Sequence, residues 1–226
     1  MRVAVVTPHH SARPEWLDQC IESVKAQTHP CDHFVVCDGV PPPARADVKF
    51  FQTPAASRDY GDTPRALGSI SAFSLGYEAV AWLDDDNWFA PDHVETMIRA
   101  LLNQRVQVVT STRYLVTREG QVMGVCRETD PERFIDSNCY LVHASARWVV
   151  NAWWMMSEDL HMFGDRVVTK FMRTHGASLW HTGRPTVYYR TNFANHYREF
   201  GFAPPPDAPR PLLEVYRRRY GRDPII

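Results

Sequence analysis

Three aspartates in succession, Asp84, Asp85 and Asp86, end the apolar run at residues 79–83. Carboxylates crowd one another only where water or a cation screens them, and crowding without a screen raises at least one pKa. A divalent cation is the natural counter-ion, because Mg²⁺ takes one or two carboxylates and completes its shell with water and substrate phosphates. A solvated acidic turn is the plainer alternative, since charge runs usually face water. Position favours the cation: open α/β sheets bind ligands beyond the carboxyl ends of their strands. Other chemistry-bearing residues stand at similar ends. Pro8, His9 and His10 follow the run 3–6, Asp38 precedes Gly39 after the run 33–37, and Asp165 opens a helical stretch. Each has a modest alternative: Asp38 suits a turn, Asp165 suits the positive end of a helix dipole, and Arg65 suits a surface helix as readily as a phosphate.

The elements that must position these residues follow from periodicity. Residues 3–6, 33–37, 48–51 and 79–83 read as short strands. Leu17, Cys20, Ile21 and Val24 are spaced three and four apart behind Pro14 and Glu15, the pattern of a helix buried on one face. A second helix is expected near residue 64, with Ala66, Leu67, Ile70 and Phe73 inward. A third is expected to start at Pro91, with Asp92 and Glu95 in its first turn and Val94, Met97, Ile98, Leu101 and Leu102 inward. The order β-α-β-β-α-β-α argues for a mostly parallel, doubly wound sheet. After residue 105 the rhythm changes to a strand at 106–112, a hairpin about Glu119 and Gly120, a strand at 137–143, a buried helical stretch about 147–156, a helix after Asp165 closed by Gly176, and a strand at 186–190. The division expected is one domain over 1–203, its halves 1–105 and 106–203, followed at 204–226 by a proline-rich linker and a basic helix whose arginines face only Glu214 and Asp223.

Bulk properties exclude several classes. The 226 residues suffice for a real core, and the net charge of −1 gives no electrostatic footprint for nucleic acid. The apolar runs are too short to span a membrane and the chain enters a strand at once, so a cytoplasmic protein, at most peripheral to a membrane, is expected. Five dispersed cysteines without a C-x-x-C pair suggest reduced thiols.

Four blocks carry a resemblance to a known family. VAVVTPHHSARPEWLDQCIESVKAQTHP resembles the opening of the inverting family 2 glycosyltransferases, FVVCDG their second-strand motif, AWLDDDNWFAPDHV their D-x-D strand end, and MFGDRVVTKFMRTHG their late E-D segment. The blocks lie in the family's order over roughly residues 2–192. The resemblance implies a Rossmann-like GT-A fold: a mostly parallel sheet flanked by helices, with a smaller antiparallel region on the acceptor side.

It also implies metal-dependent, inverting transfer of a sugar from a nucleoside-diphosphate donor, expected to be a UDP-sugar, to an acceptor hydroxyl of a glycan or lipid-linked molecule. Mn²⁺ or Mg²⁺ would be the cofactor, Asp86 its first ligand and Asp84 the next. Asp84 and Asp85 are expected near the ribose, the sugar or metal-bound water. Pro8, His9 and His10 would line the donor site, with His10 stacking on the base, Asp38 bonding the base and Arg65 reaching the diphosphate. Inversion needs a base for the acceptor proton, and the resemblance assigns Asp165. Departures from the pattern are Cys37 before Asp38, Gly164 for the usual glutamate and Asn192 for the usual histidine. Glu158 and Asp159 look like the E-D pair but lie too early. Trp153 and Trp154 are candidates for an acceptor wall or for the core, and His181 and His196 for a further metal or phosphate contact. A homo-oligomer stays compatible with all of this. Rivals are a non-catalytic nucleotide-sugar or glycan binder, a sugar-phosphate nucleotidyltransferase, which lacks its glycine-rich loop here, and an aspartate phosphohydrolase, whose acidic motif would follow the first strand.

Overall fold

The computed structural model describes residues 1–10 and 12–226. Strands β1 (Val3–His9), β2 (Cys31–Asp38), β3 (Lys49–Thr53) and β4 (Ala79–Trp82) pair in parallel in the order β3-β2-β1-β4. β4 and all of β1 but its last residue are buried, as expected of parallel strands covered on both faces, and their sequences accordingly do not alternate. Helix α1 (Pro14–Lys25) lays Leu17 and Ile21 on Val35 and Cys37 of β2. Helix α2 (Asp62–Ser74) covers the other face, where Gly68 meets Val6 and Val36.

Beyond β4 the same sheet continues. β5 (Trp88–Phe89) follows the acidic turn and leads into α3 (His93–Gln104), β6 (Val108–Val116) and β7 (Val122–Val125). β8 (Tyr140–His143), α4 (Asn151–Trp154), α5 (Gly164–Thr174), β9 (Leu179–Arg190), α6 (Ala194–Glu199) and α7 (Leu212–Tyr220) complete the chain. Among the described residues the sheet has nine strands: β4 pairs antiparallel with β8, β8 with β6 and β9 with β5, while β6 and β9 are parallel and β7 folds back on β6. The antiparallel strands therefore extend the parallel set. Register decides where the chemistry gathers. His9 lies opposite Cys37 and Val6 opposite Trp82, so the chain leaves β1, β2 and β4 along one edge, at His9, Asp38 and Asp84.

Several sequence expectations change. α2 buries Asp62, Pro64, Arg65, Ala66, Gly68, Ser69 and Ala72, whereas Ile70 is exposed. The helix lies so close to β1 that only small residues fit between them, and the indole of Trp82 bonds Ser69 Oγ at 2.9 Å. α3 starts at His93, not Pro91, because residues 88–89 are drawn into the sheet by β9, and Leu102 is exposed. The stretch expected to be helical and buried is a 3₁₀ segment, Ala144–Val150, and the short α4, ending in exposed Trp154 and Met155. α7 packs on the 3₁₀ turn Glu158–Phe163: Tyr216 is buried and its hydroxyl donates to Asp159 at 2.7 Å. The last arginines thus meet three carboxylates, Arg217 on Asp223, Arg222 on Asp159 and Arg219 near Glu158, while Glu214 pairs with Arg210. Among the described residues no helix is long and apolar enough to cross a membrane.

Candidate active site

At the convergent strand ends lies a pocket of about 310 Å³. Pro8, His9, His10, Asp38, Arg65, Asp84, Asp85 and Asp86 all line it, together with Arg58, Asp59, Tyr60 and Gly61 of the loop entering α2. These last four carry no sequence signal beyond a polar, glycine-containing loop. Arg58 and Tyr60 both hold φ at +59°, left-handed conformations that non-glycine residues adopt at a cost and that collect at ligand-binding loops.

The three aspartates have different surroundings. Asp84 is the most engaged: its carboxylate accepts from Arg65 and, at 3.0 Å, from the Asn138 amide. Asp85 is hydrogen-bonded to His9 Nδ1 at 2.7 Å. Among the described residues no other residue donates to the Asp86 carboxylate. Burial, and then Asp84 and Asp85, push the Asp86 carboxyl up to about 8, against the pull of Arg190. Its main-chain oxygen accepts from Arg190 at 3.1 Å, and that guanidinium is held between the indoles of Trp16 and Trp88, 4.9 Å from each ring. The turn is thus fixed in place while one carboxylate stays open to the pocket.

A hard divalent cation fits this donor set. The open group is an oxygen ligand beside two further carboxylates in the pocket wall, the hard donor that such a cation prefers. Among the described residues no cluster of three or more His, Cys, Asp or Glu side chains forms a closed cage. One or two carboxylates with the remainder supplied by water and phosphate is the Mg²⁺ pattern.

Asp38 and Arg65 complete the lining. Both Asp38 oxygens accept from Ser57, at 2.7–3.0 Å, and one also from Thr53 at 3.0 Å, so this side chain pins the loop that closes the pocket. His10 Nδ1 is 2.8 Å from the Asp38 carbonyl, which ties the ends of β1 and β2 together. Arg65, 6% exposed, is shared between Asp84 and Asp62 and lies over the Trp153 ring at 5.2 Å. Trp153 is therefore a core residue supporting Arg65, and Trp154 points to solvent.

Asp165 does not line the pocket. It stands in the first turn of α5, where its carboxylate accepts from the Ser137 amide at 3.1 Å. Ser137 adjoins Asn138, whose amide bridges Asp84 and Asp136, so Asp165 is joined to the acidic turn through one short 3₁₀ segment, Ser137–Cys139. Burial, and then Asp136, push the Asp165 carboxyl up to about 8, with Arg65 pulling the other way. Asn138, Asp136 and its buried partner Arg113 escaped sequence reasoning, because nothing local marks an asparagine that will bridge two strands. His181 and His196 are not in the pocket. His181 bonds Thr110 at 2.9 Å, and His196 bonds Thr191 at 2.7 Å with Glu128 at 3.2 Å. Glu158 and Asp159 serve the contact with α7.

The profile of Glycosyl transferase family 2 matches residues 4–157. In structure the chain is similar to TarS of S. aureus. A crystal structure of TarS 1–349 in complex with UDP superposes with a TM-score of 0.64 at 16% identity, over 88% of this chain and 63% of that one. The same segment in complex with UDP-GlcNAc gives 0.62 at 15% identity over 84% and 59%, and TarS itself gives 0.65 at 14% over 88% and 38%. The chain thus spans less than two thirds of these relatives, and at such identities the likeness shows the fold, GT-A. No curated protein matches it in sequence.

Proposed function

The chain belongs to Glycosyl transferase family 2, and on that premise we propose that it moves a sugar, with inversion, from a nucleoside-diphosphate donor to an acceptor hydroxyl. The observation that carries this reading is the Asp86 carboxylate, which lines the pocket with no donor from another described residue, beside Asp84, Asp85 and the buried Arg65. A donor diphosphate gains negative charge as the glycosidic bond breaks, and groups already aimed at that charge lower the barrier most. A divalent cation held by Asp86, with Asp84 beside it, would supply Lewis-acid stabilisation of the leaving diphosphate. Arg65 lends its charge to the same region. Pro8, His9, His10 and the loop held by Asp38 form the wall for the nucleoside, and Asp85 is kept in place by His9. Asp165, outside the donor pocket but joined to the acidic turn through Ser137 and Asn138, is the base proposed for the attacking hydroxyl of an acceptor bound on the α5 side.

UDP is the expected diphosphate, from the sequence resemblance and from the ligands named with the TarS structures. The test is incubation of the purified protein with a panel of nucleotide sugars, with and without Mn²⁺, reading free nucleoside diphosphate. Metal-dependent release from a UDP-sugar, raised by an acceptor, supports the reading. Binding of nucleotide sugar without release under any condition would make the protein a binder.

A further inference from the structure

We infer that Asp62 is a positioning residue, which holds the Arg65 guanidinium between itself and Asp84 so that the arginine faces the donor diphosphate. This rests on the donor-binding role proposed above for the pocket. Asp62 stands in the first turn of α2 and is 1% exposed. An acid in a first turn suits the helix dipole, but an exposed one would serve that purpose equally, and burying a carboxylate is costly unless it is paired. Here the pairing is two-sided: Oδ2 lies 2.8 Å from His161 Nδ1, and Oδ1 lies 3.5 Å from Arg65 Nη1.

The neighbours have made room for it. A Cβ on Gly164 would lie 3.2 Å from Asp62 Oδ1 and 3.0 Å from the Trp153 ring, so the residue before Asp165 leaves that space to the carboxylate from α2. Arg65 donates further to the Tyr60 carbonyl at 2.9 Å, and its Nε has no partner among the described residues. The guanidinium is thus clamped at three points by Asp62, Tyr60 and Asp84, with its face on Trp153. Burial pushes the Asp62 carboxyl up to about 7 even with Arg65 and His161 beside it, so the group is kept at a cost to the fold.

The test combines affinity, stability and a double-mutant cycle on the full chain. UDP binding in the presence of Mn²⁺ is titrated for wild type, Asp62→Asn, Arg65→Gln and the pair, each with its melting temperature. Asp62→Asn should weaken UDP binding about tenfold, the scale of a lost charge-assisted contact, with a melting temperature equal to or above wild type. The double variant should bind no more weakly than Arg65→Gln alone, since Asp62 acts through that residue. Should Asp62→Asn not fold, His161→Ala carries the same cycle with Arg65→Gln. Wild-type affinity in Asp62→Asn, additive losses, or a loss that tracks a fall in melting temperature would each overturn the inference. Wild type that binds no nucleoside diphosphate at all would overturn the donor-site reading together with it; wild type that binds, beside an Asp62→Asn that binds equally, overturns only this one.

Discussion

Asp165 faces a burial and an Asp136 that both oppose its ionisation, and this fixes the sign of the expected pH response. In its proposed role as base Asp165 must be unprotonated to act, and burial followed by Asp136 raises its carboxyl to about 8. Turnover at saturating donor should therefore climb as pH rises through about 8, and Asp165→Asn should flatten that limb while cutting turnover about 10²- to 10⁴-fold with UDP affinity nearly intact. Stability follows the same groups. Asp62 and Asp165 have folded pKa values near 7 and 8, above the ordinary carboxylate value, so the folded state holds more protons and stability is lost as pH rises through those values. Buried His33 and His93, both pushed down to about 3, act oppositely, but only below about pH 6.5, where the unfolded chain takes up protons. Melting temperatures of the metal-free protein should thus fall between pH 6.5 and 9, and a flat profile there would argue against buried protonated carboxyls. The sequence made Asp84, Asp85, Asp86 and Asp38 legible as candidates because they stand where strands end. It could not mark Asp62 or Asn138, which bond His161 and Asp84, 99 and 54 residues away along the chain.

The helices show why some elements were legible and one was misleading. In α1 the residues Leu17, Cys20, Ile21 and Val24 are buried as their spacing implies, Leu17 and Ile21 packing on Val35 and Cys37 of β2 and Cys20 and Val24 on the main core. α2 obeys a different constraint. It approaches β1 so closely that a Cβ on Gly68 would come within 2.4 Å of Val6, and its apolar Ile70 is left in water. Apolar periodicity finds the face of greatest hydrophobicity, not the face of closest approach, and here the second carries Asp62, Arg65 and Ser69. Gly68→Ala should accordingly cost about 1–3 kcal/mol through overpacking, readable as a lower melting temperature. Its effect on UDP affinity should exceed that of an equally destabilising change in α7, because α2 carries Arg65. Equal effects from the two helices would mean that the position of α2 does not govern the pocket.

Over the whole molecule, the alternation of short strands and helices up to α3 was enough to indicate a wound α/β sheet. The later half was harder to read, because β8, β6 and β9 thread between β4 and β5, and such long-range pairings leave only weak local patterns. β5, two residues long, exists through its pairing with β9 and has no periodicity of its own. The consequence of this topology is that three parallel strand ends, the α2 entry loop and the acidic turn surround one pocket, with Arg190 reaching in from β9 to brace it. The most direct test of the account is a crystal of the protein soaked with UDP and Mn²⁺. Anomalous density within about 2.5 Å of an Asp86 oxygen and of the diphosphate, the reach of a first coordination shell, is the result expected. Diphosphate bound with its metal away from Asp84, Asp85 and Asp86, or a pocket that stays empty while UDP binds elsewhere, would contradict it.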